Sequence, residues 1–502
     1  MARIINYEEL TNHGNIEGRK ILAEIMEAGL SAADPYNNTM ALARVEGSKI
    51  IFEGKDFEPG GDPQSGPAIY DLDEIDRVYV FGIGKGIQRI TKALEEMLGD
   101  YLTDGHVVAK HGDEIIMEKI GVTLAGHPTP DKYCVIGCQK IVDIIEDAKL
   151  TDNDLVITAI GNGVSSLCTL PWPGLPIEDV TECTRLMQIE YGITTGDLNE
   201  IRISIDQLKG GRISRMIHPA KMVHLFGVAP GAPGSREENP GISEYDNLVK
   251  HNHWLHTVSV DTTVEKALFM LKKWDVDNKM PESIVNFLNS FKPEYDAVDW
   301  EEYATFNRRL FGVMPKNRSV LVSGMRCAKE LGYTPHNMGW IVAEAAPTGR
   351  IMGQIAISSE VGLTPMKPPC AIFHSGEMLV TCGDNPGVGG RNQEYCLSAS
   401  QFIAGSKRIV MSGVDTDGTD GPGGEFHPDA TSRGITVLTG GLVDGYTSKE
   451  ARTKEVYVHE ALVTHATSAA LWELDSGIAA IQNISVGDFV CTIVMDHDGK
   501  TE

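Results

Sequence analysis

The sequence has no run of 18 or more apolar residues, and basic side chains are scarce relative to acidic ones. A membrane-spanning helix needs about 20 mostly apolar residues in succession, so no such helix is expected. Lysine and arginine total 44 against 70 aspartates and glutamates, a formal charge of −26 at pH 7. This charge argues against nucleic acid or an anionic membrane as a partner. A protein so negative must place cations locally if it binds an anionic substrate.

Paired cysteine motifs are also absent. The nine cysteines are odd in number, scattered along the chain, and never spaced as Cys-x-x-Cys. This pattern excludes a disulfide framework and a cysteine zinc site, and it favours small buried thiols in a reducing compartment. The first residues lack the apolar run of a secretory signal. We therefore expect a cytoplasmic protein.

The length of the chain predicts more than one domain. Single hydrophobic cores seldom grow beyond roughly 250 to 300 residues, whereas this chain has 502. Apolar strands followed by glycine turns and helices occur in both halves, which is typical of α/β folds. We place the domain junction at 315/316, so that residues 1–315 form the first domain, with a helical connector at about 258–315, and residues 316–502 form the second.

A glycine-rich turn in the second half predicts an anion site. An apolar strand breaks at turn 383–394, whose four glycines are interpreted as backbone that approaches a ligand rather than as packing residues. Gly389 and Gly390 are the phosphate-binding candidates in this turn. Arg391 follows them, where a helix at about 392–403 should begin. Unpaired amides at a helix start beside a cation form a ready anion site.

The next turn, Gly413–Pro422, crowds three aspartates into six residues and needs a counter-ion. An EF-hand loop is excluded, because positions five and six counted from Asp415 are Thr419 and Asp420. A magnesium ion that is shared with phosphate oxygens and uses one or two of the three aspartates fits the turn better. The alternative is a solvated turn that binds no ligand. The candidate metal ligands are Asp415, Asp417, Asp420 and, in the preceding turn, Glu394.

The first half contains a strand at 77–83 that ends in a second glycine turn. The spacing does not match a dinucleotide fingerprint, because the third glycine would fall at Ile87, and it is not a Walker A loop. Lys85, between Gly84 and Gly86, would present a point charge and free amides to an anion. A solvated lysine on an ordinary turn is the alternative.

Two further strands extend this pattern. The strand at 106–110 implies a parallel βαβ unit, and it ends in Lys110-His111 where an NAD enzyme would show an acidic residue. The strand at 154–161 leads into a turn that presents amides and hydroxyls as a phosphate cradle. A Gly-x-Ser-x-Gly elbow is absent, which weakens a hydrolase hypothesis. The cradle candidates are Gly161, Gly163, Ser165 and Ser166.

Polar residues at spacings of three or four predict one face of a helix within 197–211. They are Asn199, Arg202, Asp206 and Lys209. Such a face is either solvated or turned toward a cleft. In the turn Gly126–Asp131, His127 could face the same cleft, but we interpret it as a structural residue of the turn. The histidines of 251–256 lack a carboxylate at ligand spacing, so a metal site is not expected there.

Taken in order, these motifs resemble the two-domain glycerate 2-kinases, whose carboxy-terminal domain is of the MOFRL type. The matching strings are Lys85, Ser165, Asn199-x-x-Arg202, Lys209-Gly-Gly211, Gly389-Gly-Arg391 and the Asp417/Asp420 turn. The resemblance implies a Rossmann-like parallel sheet with helices on both faces, a second α/β domain, and an active site in the cleft between them.

The same resemblance implies a reaction and its participants. ATP and Mg²⁺ would be the cofactors, and the γ-phosphoryl group would pass to the 2-hydroxyl of D-glycerate to give 2-phosphoglycerate. Lys85 and Arg391 would be the catalytic pair, with Ser165, Ser166, Asn199, Arg202 and Lys209 binding the substrate. The expected partners are ATP and a small hydroxy acid, and the chain could form a homodimer.

One departure keeps the acceptor open. Where the family has a Thr-Gly-Pro-Thr-Gly-Thr-Asn type of loop, this chain reads Val486-Gly-Asp-Phe-Val-Cys. The acceptor could therefore be a related 2-hydroxy acid such as lactate or erythronate. Two other hypotheses are a hydroxypyruvate reductase type of oxidoreductase and a ligand-binding protein without catalysis.

Overall fold

The computed structural model describes residues 2–228, 241–315, 317, 319–382, 386–481 and 487–496. Residues 383–385, Lys316 and Val486, which were discussed above, lie outside these ranges. No helix within the ranges is long and apolar enough to cross a membrane. The chain divides into two compact units, which we call the middle unit (Pro35–Lys316) and the terminal unit (Met1–Asp34 with Asn317–Glu502).

The middle unit is built on a six-stranded parallel sheet in the order β6-β5-β4-β7-β8-β9. Its strands are β4 Val78–Ile83, β5 Leu102–Lys110, β6 Gly121–Ala125, β7 Leu155–Ile160, β8 Lys221–Phe226 and β9 Arg308–Gly312. Counted from β4, this is the order 3-2-1-4-5-6 of a Rossmann sheet. The predicted parallel βαβ unit and the Rossmann-like fold are confirmed.

The central strands β4 and β7 are buried along their whole length. Near-continuous apolar runs of this kind are typical of parallel sheets that helices cover on both faces. On one face Phe81 shares a core with residues of several helices, among them Lys132–Ala148 and Arg212–Ile217. On the other face Gly82 leaves room for Thr91, because a Cβ at Gly82 would lie 2.8 Å from the Thr91 Cγ2.

A small antiparallel sheet, β1-β2-β3, and the helices complete the middle unit. The strands are β1 Ala43–Glu46, β2 Lys49–Phe52 and β3 Ala68–Asp71. The α-helices are α3 Pro35–Leu42, α4 Gln88–Leu98, α5 Lys132–Ala148, α6 Val164–Leu167, α7 Ile177–Thr184, α8 Thr195–Ser204, α9 Arg212–Ile217, α10 Glu244–Lys250, α11 Val264–Trp274, α12 Glu282–Asn289 and α13 Trp300–Tyr303. A π-helical turn covers Arg185–Glu190, and short 3-10 turns cover Lys55–Phe57, Gly99–Tyr101 and Pro293–Tyr295.

The terminal unit contains a mixed six-stranded sheet in the order β10-β11-β15-β12-β13-β14. Only β10 and β11 pair in parallel among these described strands. The strands are β10 Thr334–Ile341, β11 Cys370–Gly376, β12 Ile409–Asp415, β13 Gly440–Asp444, β14 Gly477–Ile478 and β15 Asp488–Val494. The helices are α1 Tyr7–Thr11, α2 Ile16–Ala32, α14 Val320–Glu330, α15 Ala345–Glu360, α16 Arg391–Phe402, α17 Pro428–Ser432, α18 Thr447–Thr453, α19 Val458–Val463 and α20 Thr467–Glu473.

The structure assigns Met1–Asp34 to the terminal unit, whereas the sequence analysis placed these residues in the first domain. Helix α2 packs instead on the terminal-unit sheet, since a Cβ at Gly29 would lie 2.5 Å from the Phe489 ring and one at Gly18 would lie 2.6 Å from Val410. The predicted helical connector at 258–315 also differs. It contains α11, α12 and α13, but it ends in β9, an edge strand of the parallel sheet.

A buried ion pair fixes α2 to the terminal unit. The Arg19 Nε donates to the Asp444 Oδ2 at 2.5 Å, and both side chains are fully buried. The remaining guanidinium nitrogens donate to the Leu10 carbonyl and to the hydroxyls of Thr447 and Ser476. Burial raises the pKa of Asp444, but the adjacent Arg19 more than offsets this and the pKa lies below its ordinary value.

We expect Arg19→Ala to lower the free energy of unfolding by about 3–5 kcal/mol, because it leaves the Asp444 carboxylate buried and unpaired. Glu9→Ala is the matched control. It breaks the half-exposed pair with Arg433, which also joins the first residues to the terminal unit, and should cost less than about 1 kcal/mol. Urea unfolding followed by circular dichroism measures both. Equal effects would contradict the role given to Arg19.

Candidate active site

Two glycine loops meet at the carboxyl edge of the parallel sheet, where the order of its strands reverses. The loop after β4 crosses the loop after β7 so closely that a Cβ at Gly84 would lie 2.6 Å from the Gly161 Cα. The Lys85 N–H donates to the Asn162 carbonyl at 2.8 Å, and the Gly161 N–H donates to the Ile83 carbonyl at 2.9 Å. Gly84 is therefore required for the contact between the loops. Open α/β sheets bind ligands at this edge, where the strand order reverses.

The Lys85 side chain lies against Gly163 and His127. Gly163 has a φ of +74°, and a Cβ there would lie 3.1 Å from the Lys85 Cγ and 2.8 Å from the His127 Nε2. Lys85 and His127 are both partly exposed. The interpretation of His127 as only a structural residue of its turn missed this proximity. A signal for it was available, because His127 follows a parallel strand (β6) just as Lys85 and Gly163 follow β4 and β7.

The predicted hydroxyl groups and Asn199 hold this edge together. The Asn199 Nδ2 donates to the Ser165 Oγ at 2.9 Å and to the His253 carbonyl at 2.8 Å. The Ser166 Oγ donates to the Gly126 carbonyl at 3.1 Å, which joins the β7 loop to the β6 loop. The Asn199 Oδ1 is buried without a hydrogen-bond partner in the part of the chain that the structure describes. These contacts bring Ser165, Ser166 and Asn199 together.

Lys209 differs from the prediction. Helix α8 ends at Ser204, so Lys209 lies beyond the helix and does not share its face. Its ammonium donates to the Cys168 carbonyl, to the Thr169 Oγ1 at 3.1 Å and to the Asp206 Oδ2 at 2.7 Å. The residue is 1% exposed. These contacts give Lys209 a structural role in place of the predicted substrate contact.

Arg202 is buried on α8 and has only weak partners. Its Nη2 lies 3.4 Å from the Thr184 Oγ1 and 3.3 Å from the Gln188 Oε1. Burial lowers the pKa of Arg202 to about 10. The contacts place the guanidinium against α7 and the π-helical turn. Neither of these contacts is with Ser165 or Asn199, so the substrate role of Arg202 stays a prediction.

In the terminal unit, Arg391 is the first residue of α16. Its Nε donates to the Asp488 Oδ1 at 2.6 Å, and its Nη2 donates to the Asp415 Oδ2 at 2.8 Å. Burial lowers the pKa of Arg391, but Asp415 and Asp488 more than offset it and hold the pKa above its ordinary value. The side chain is 22% exposed. A charged guanidinium is therefore held in one orientation with one side open.

Asp488 was missed from the sequence. It also accepts from the Asn392 Nδ2 at 2.8 Å and from the Met378 N–H at 2.6 Å, so it connects β15, α16 and the segment after β11. It lies in the segment where the sequence departs from the family loop. The sequence signal that could have indicated Asp488 is its position directly after Gly487, at the start of the last strand.

Gly389 and Gly390 serve packing, contrary to the interpretation made from the sequence. A Cβ at Gly390 would lie 2.1 Å from the Asp420 carbonyl oxygen, and one at Gly389 would lie 2.4 Å from the His465 carbonyl oxygen. The turn therefore lies under two other segments. Its glycines allow that close approach, and a ligand is not needed to explain them.

Asp420 closes the start of α16. Its carboxylate accepts from the Asn392 N–H at 3.1 Å, the Gln393 N–H at 2.9 Å and the Asn392 Nδ2 at 3.2 Å. Burial raises the pKa of Asp420 to about 6, although the two backbone N–H groups act in the opposite direction. These contacts cap the helix and leave the metal role predicted for Asp420 without support.

The other predicted metal ligands also have protein partners. Asp415 pairs with Arg391, and the Glu394 Oε1 lies 2.6 Å from the His465 Nδ1. The Asp417 Oδ1 accepts from the N–H and hydroxyl of Thr419 at 2.7 Å each. Across the described ranges, no group of three or more His, Cys, Asp or Glu side chains is arranged to hold a metal ion. The prediction that one or two of Asp415, Asp417 and Asp420 share a magnesium ion with phosphate oxygens needs no such cluster and stays a prediction.

Comparison with known proteins shows which proteins the chain is similar to. Two family models match the chain, a domain of unknown function (DUF4147) over residues 21–227 and the MOFRL family over residues 370–484. A glycerate 2-kinase of Pyrococcus horikoshii is 29% identical over 486 residues, 96% of this chain and 99% of its own length. The chain is similar to a glycerate 2-kinase over nearly its whole length. The resemblance noted from its motifs is confirmed.

A second relative and a solved structure show a similar likeness to the chain. A D-glycerate 2-kinase of Thermotoga maritima is 29% identical over 377 residues, 75% of this chain and 80% of its own length. A solved structure of a Pyrococcus horikoshii protein is 27% identical and has a TM-score of 0.68. The superposition covers 95% of this chain and 98% of that one. The fold of that protein therefore extends over nearly the whole of this chain.

The contacts of Asp420 lead to a stability prediction. We expect Asp420→Asn to lower the free energy of unfolding by about 2 kcal/mol or more, because an amide group would face donors at the start of α16. Asp417→Asn, in the same turn, is the control and should change it by less than about 1 kcal/mol. Urea unfolding at pH 7 compares the two variants. If Asp420→Asn unfolds like the wild type, the capping role is refuted.

Proposed function

We propose that this protein is an ATP-dependent D-glycerate 2-kinase that transfers the γ-phosphoryl group of ATP to the 2-hydroxyl of D-glycerate. The products would be 2-phosphoglycerate and ADP. Similarity to a glycerate 2-kinase and a D-glycerate 2-kinase supports this reaction. The structural observation that carries it is the position of Lys85, at the crossing of the β4 and β7 loops.

Lys85 suits a phosphate at that position. The carboxyl end of a parallel sheet, where the strand order reverses, is where open α/β folds bind their ligands. A lysine ammonium is a compact charge with three donors, and it lies beside the backbone of Gly163. Because the chain carries a formal charge of −26, a local cation is needed to attract a nucleotide or a hydroxy acid.

Arg391 is the second cation assigned to the reaction. Phosphoryl transfer depends on positioned positive charge at the phosphoryl oxygens more than on covalent chemistry. Asp488 and Asp415 fix the Nε and the Nη2. The Nη1 faces Glu377 only at 4.0 Å, so this nitrogen is the one we assign to a phosphoryl oxygen.

The same carboxylates bear on the metal. Asp415 and Asp488 outnumber the single charge of Arg391, so their surroundings would repel bare phosphates. Mg²⁺ usually keeps several waters and binds through one or two carboxylates together with substrate phosphates. We therefore propose that Mg²⁺ arrives as part of the nucleotide complex, with Asp417 as its candidate protein ligand. The described residues do not form a resident metal site of their own.

The acceptor is the part of the proposal that most needs a direct test. The family loop rich in threonine and glycine is replaced here, so lactate and erythronate remain alternatives to D-glycerate. A coupled assay of ADP release over glycerate, lactate, erythronate and tartrate would rank these acceptors. D-Glycerate should give the highest kcat/KM. ATP hydrolysis that no acid stimulates would favour the binding-protein hypothesis, and oxidation of NADH with hydroxypyruvate would favour the reductase hypothesis.

We expect Lys85→Ala and Arg391→Ala each to lower kcat by about a hundredfold or more, because each removes a positive charge from the transferring phosphoryl group. Lys110→Ala is the control. It removes a lysine at the end of the neighbouring strand and should keep kcat within about threefold of the wild type. Steady-state ADP release measures all three, after circular dichroism has shown that the variants fold.

A further inference from the structure

We propose that His127 is a catalytic base that accepts the proton of the acceptor hydroxyl during phosphoryl transfer. This inference rests on the proposed kinase function and adds a residue to it. The imidazole lies at the same edge as Lys85, because both side chains meet at the position where Gly163 lacks a Cβ. The Nε2 would lie 2.8 Å from that Cβ. A substituted residue 163 would displace the ring.

The loop that carries His127 is held on both sides of the histidine. Before it, the Gly126 carbonyl accepts from the Ser166 Oγ at 3.1 Å. After it, the Asp131 carboxylate accepts from the Tyr133 N–H at 2.9 Å and from the Cys134 N–H at 3.2 Å. A catalytic side chain needs such support, because small displacements of reacting groups are costly in rate.

The charged groups around His127 leave it as the suitable base. From the β4 loop it faces Lys85, which as an ammonium cannot accept a proton. On its own loop, Asp131 caps α5 and lies 2.7 Å from the His111 Nε2. An imidazole is the side chain most often used for proton transfer near neutral pH.

The step balances as follows. The proton of the acceptor 2-hydroxyl passes to a ring nitrogen of neutral His127. The hydroxyl oxygen forms a bond to the γ-phosphorus, and the bond from that phosphorus to the β,γ-bridging oxygen breaks. ADP leaves with the electron pair, and the imidazolium later releases its proton to solvent. Lys85 remains charged throughout and faces the phosphoryl oxygens.

Removal of the imidazole tests the proposal. We expect His127→Ala and His127→Asn to lower kcat by about a hundredfold or more, which is the usual contribution of a positioned base. In the wild type, the pH profile of kcat/KM should show an acid limb, because a base must be unprotonated to accept the proton. Both variants should lose that dependence. Added imidazole should restore part of the rate of His127→Ala, which a merely structural histidine would not allow.

His111→Asn is the matched control, since His111 ends the neighbouring strand and contacts the same loop through Asp131. It should keep both the rate and the acid limb. Near-normal kcat in folded His127→Ala, or an acid limb that survives in both His127 variants, would overturn the proposal. Failure of the wild type to release ADP with any hydroxy acid would instead refute the proposed function itself, so the two failures are distinguishable.

Discussion

The middle unit depends on the close approach of two backbone loops, which follow β4 and β7 at the point where the strand order of the sheet reverses. A side chain at Gly84 would collide with Gly161, so the β4 and β7 loops can cross only because both positions lack a Cβ. That crossing fixes the backbone of Lys85, whose N–H donates to Asn162. The Ser166 contact then draws in the β6 loop and with it His127. One steric constraint thus gathers three loops around one cation.

The terminal unit orients its cation by charge. Arg391 is held by two carboxylates from different strands, Asp415 at the end of β12 and Asp488 at the start of β15. Asp420 holds the helix start from which Arg391 projects. In the acidic turn that was predicted as a metal site, Asp415 therefore binds an arginine and Asp420 caps a helix. A metal bound to substrate phosphates is consistent with that arrangement, whereas a resident ion held by several carboxylates is not.

The sequence predicted local features well, because they depend on local patterns. Apolar runs predicted β4, β5 and β7, and the glycine turn marked Lys85 as exceptional. The failures involve contacts between residues far apart in the chain. Spacing alone could not show that α8 ends before Lys209, which a buried pair with Asp206 holds, nor that α2 packs on the terminal-unit sheet. The role of Asp488 likewise depends on strand pairing across the sheet.

The central claim is that the 2-hydroxyl oxygen of D-glycerate is phosphorylated, and a ³¹P spectrum of the products tests it. The purified protein would be incubated with ATP, Mg²⁺ and D-glycerate, and the products followed by ³¹P nuclear magnetic resonance with proton coupling retained. Attachment at the 2-hydroxyl splits the phosphorus signal by the single proton on carbon 2. A kinase specific for the 2-hydroxyl should give that doublet, and the doublet should grow together with the ADP signals. A triplet from the 3-hydroxyl ester, or no new phosphate ester at all, would contradict it.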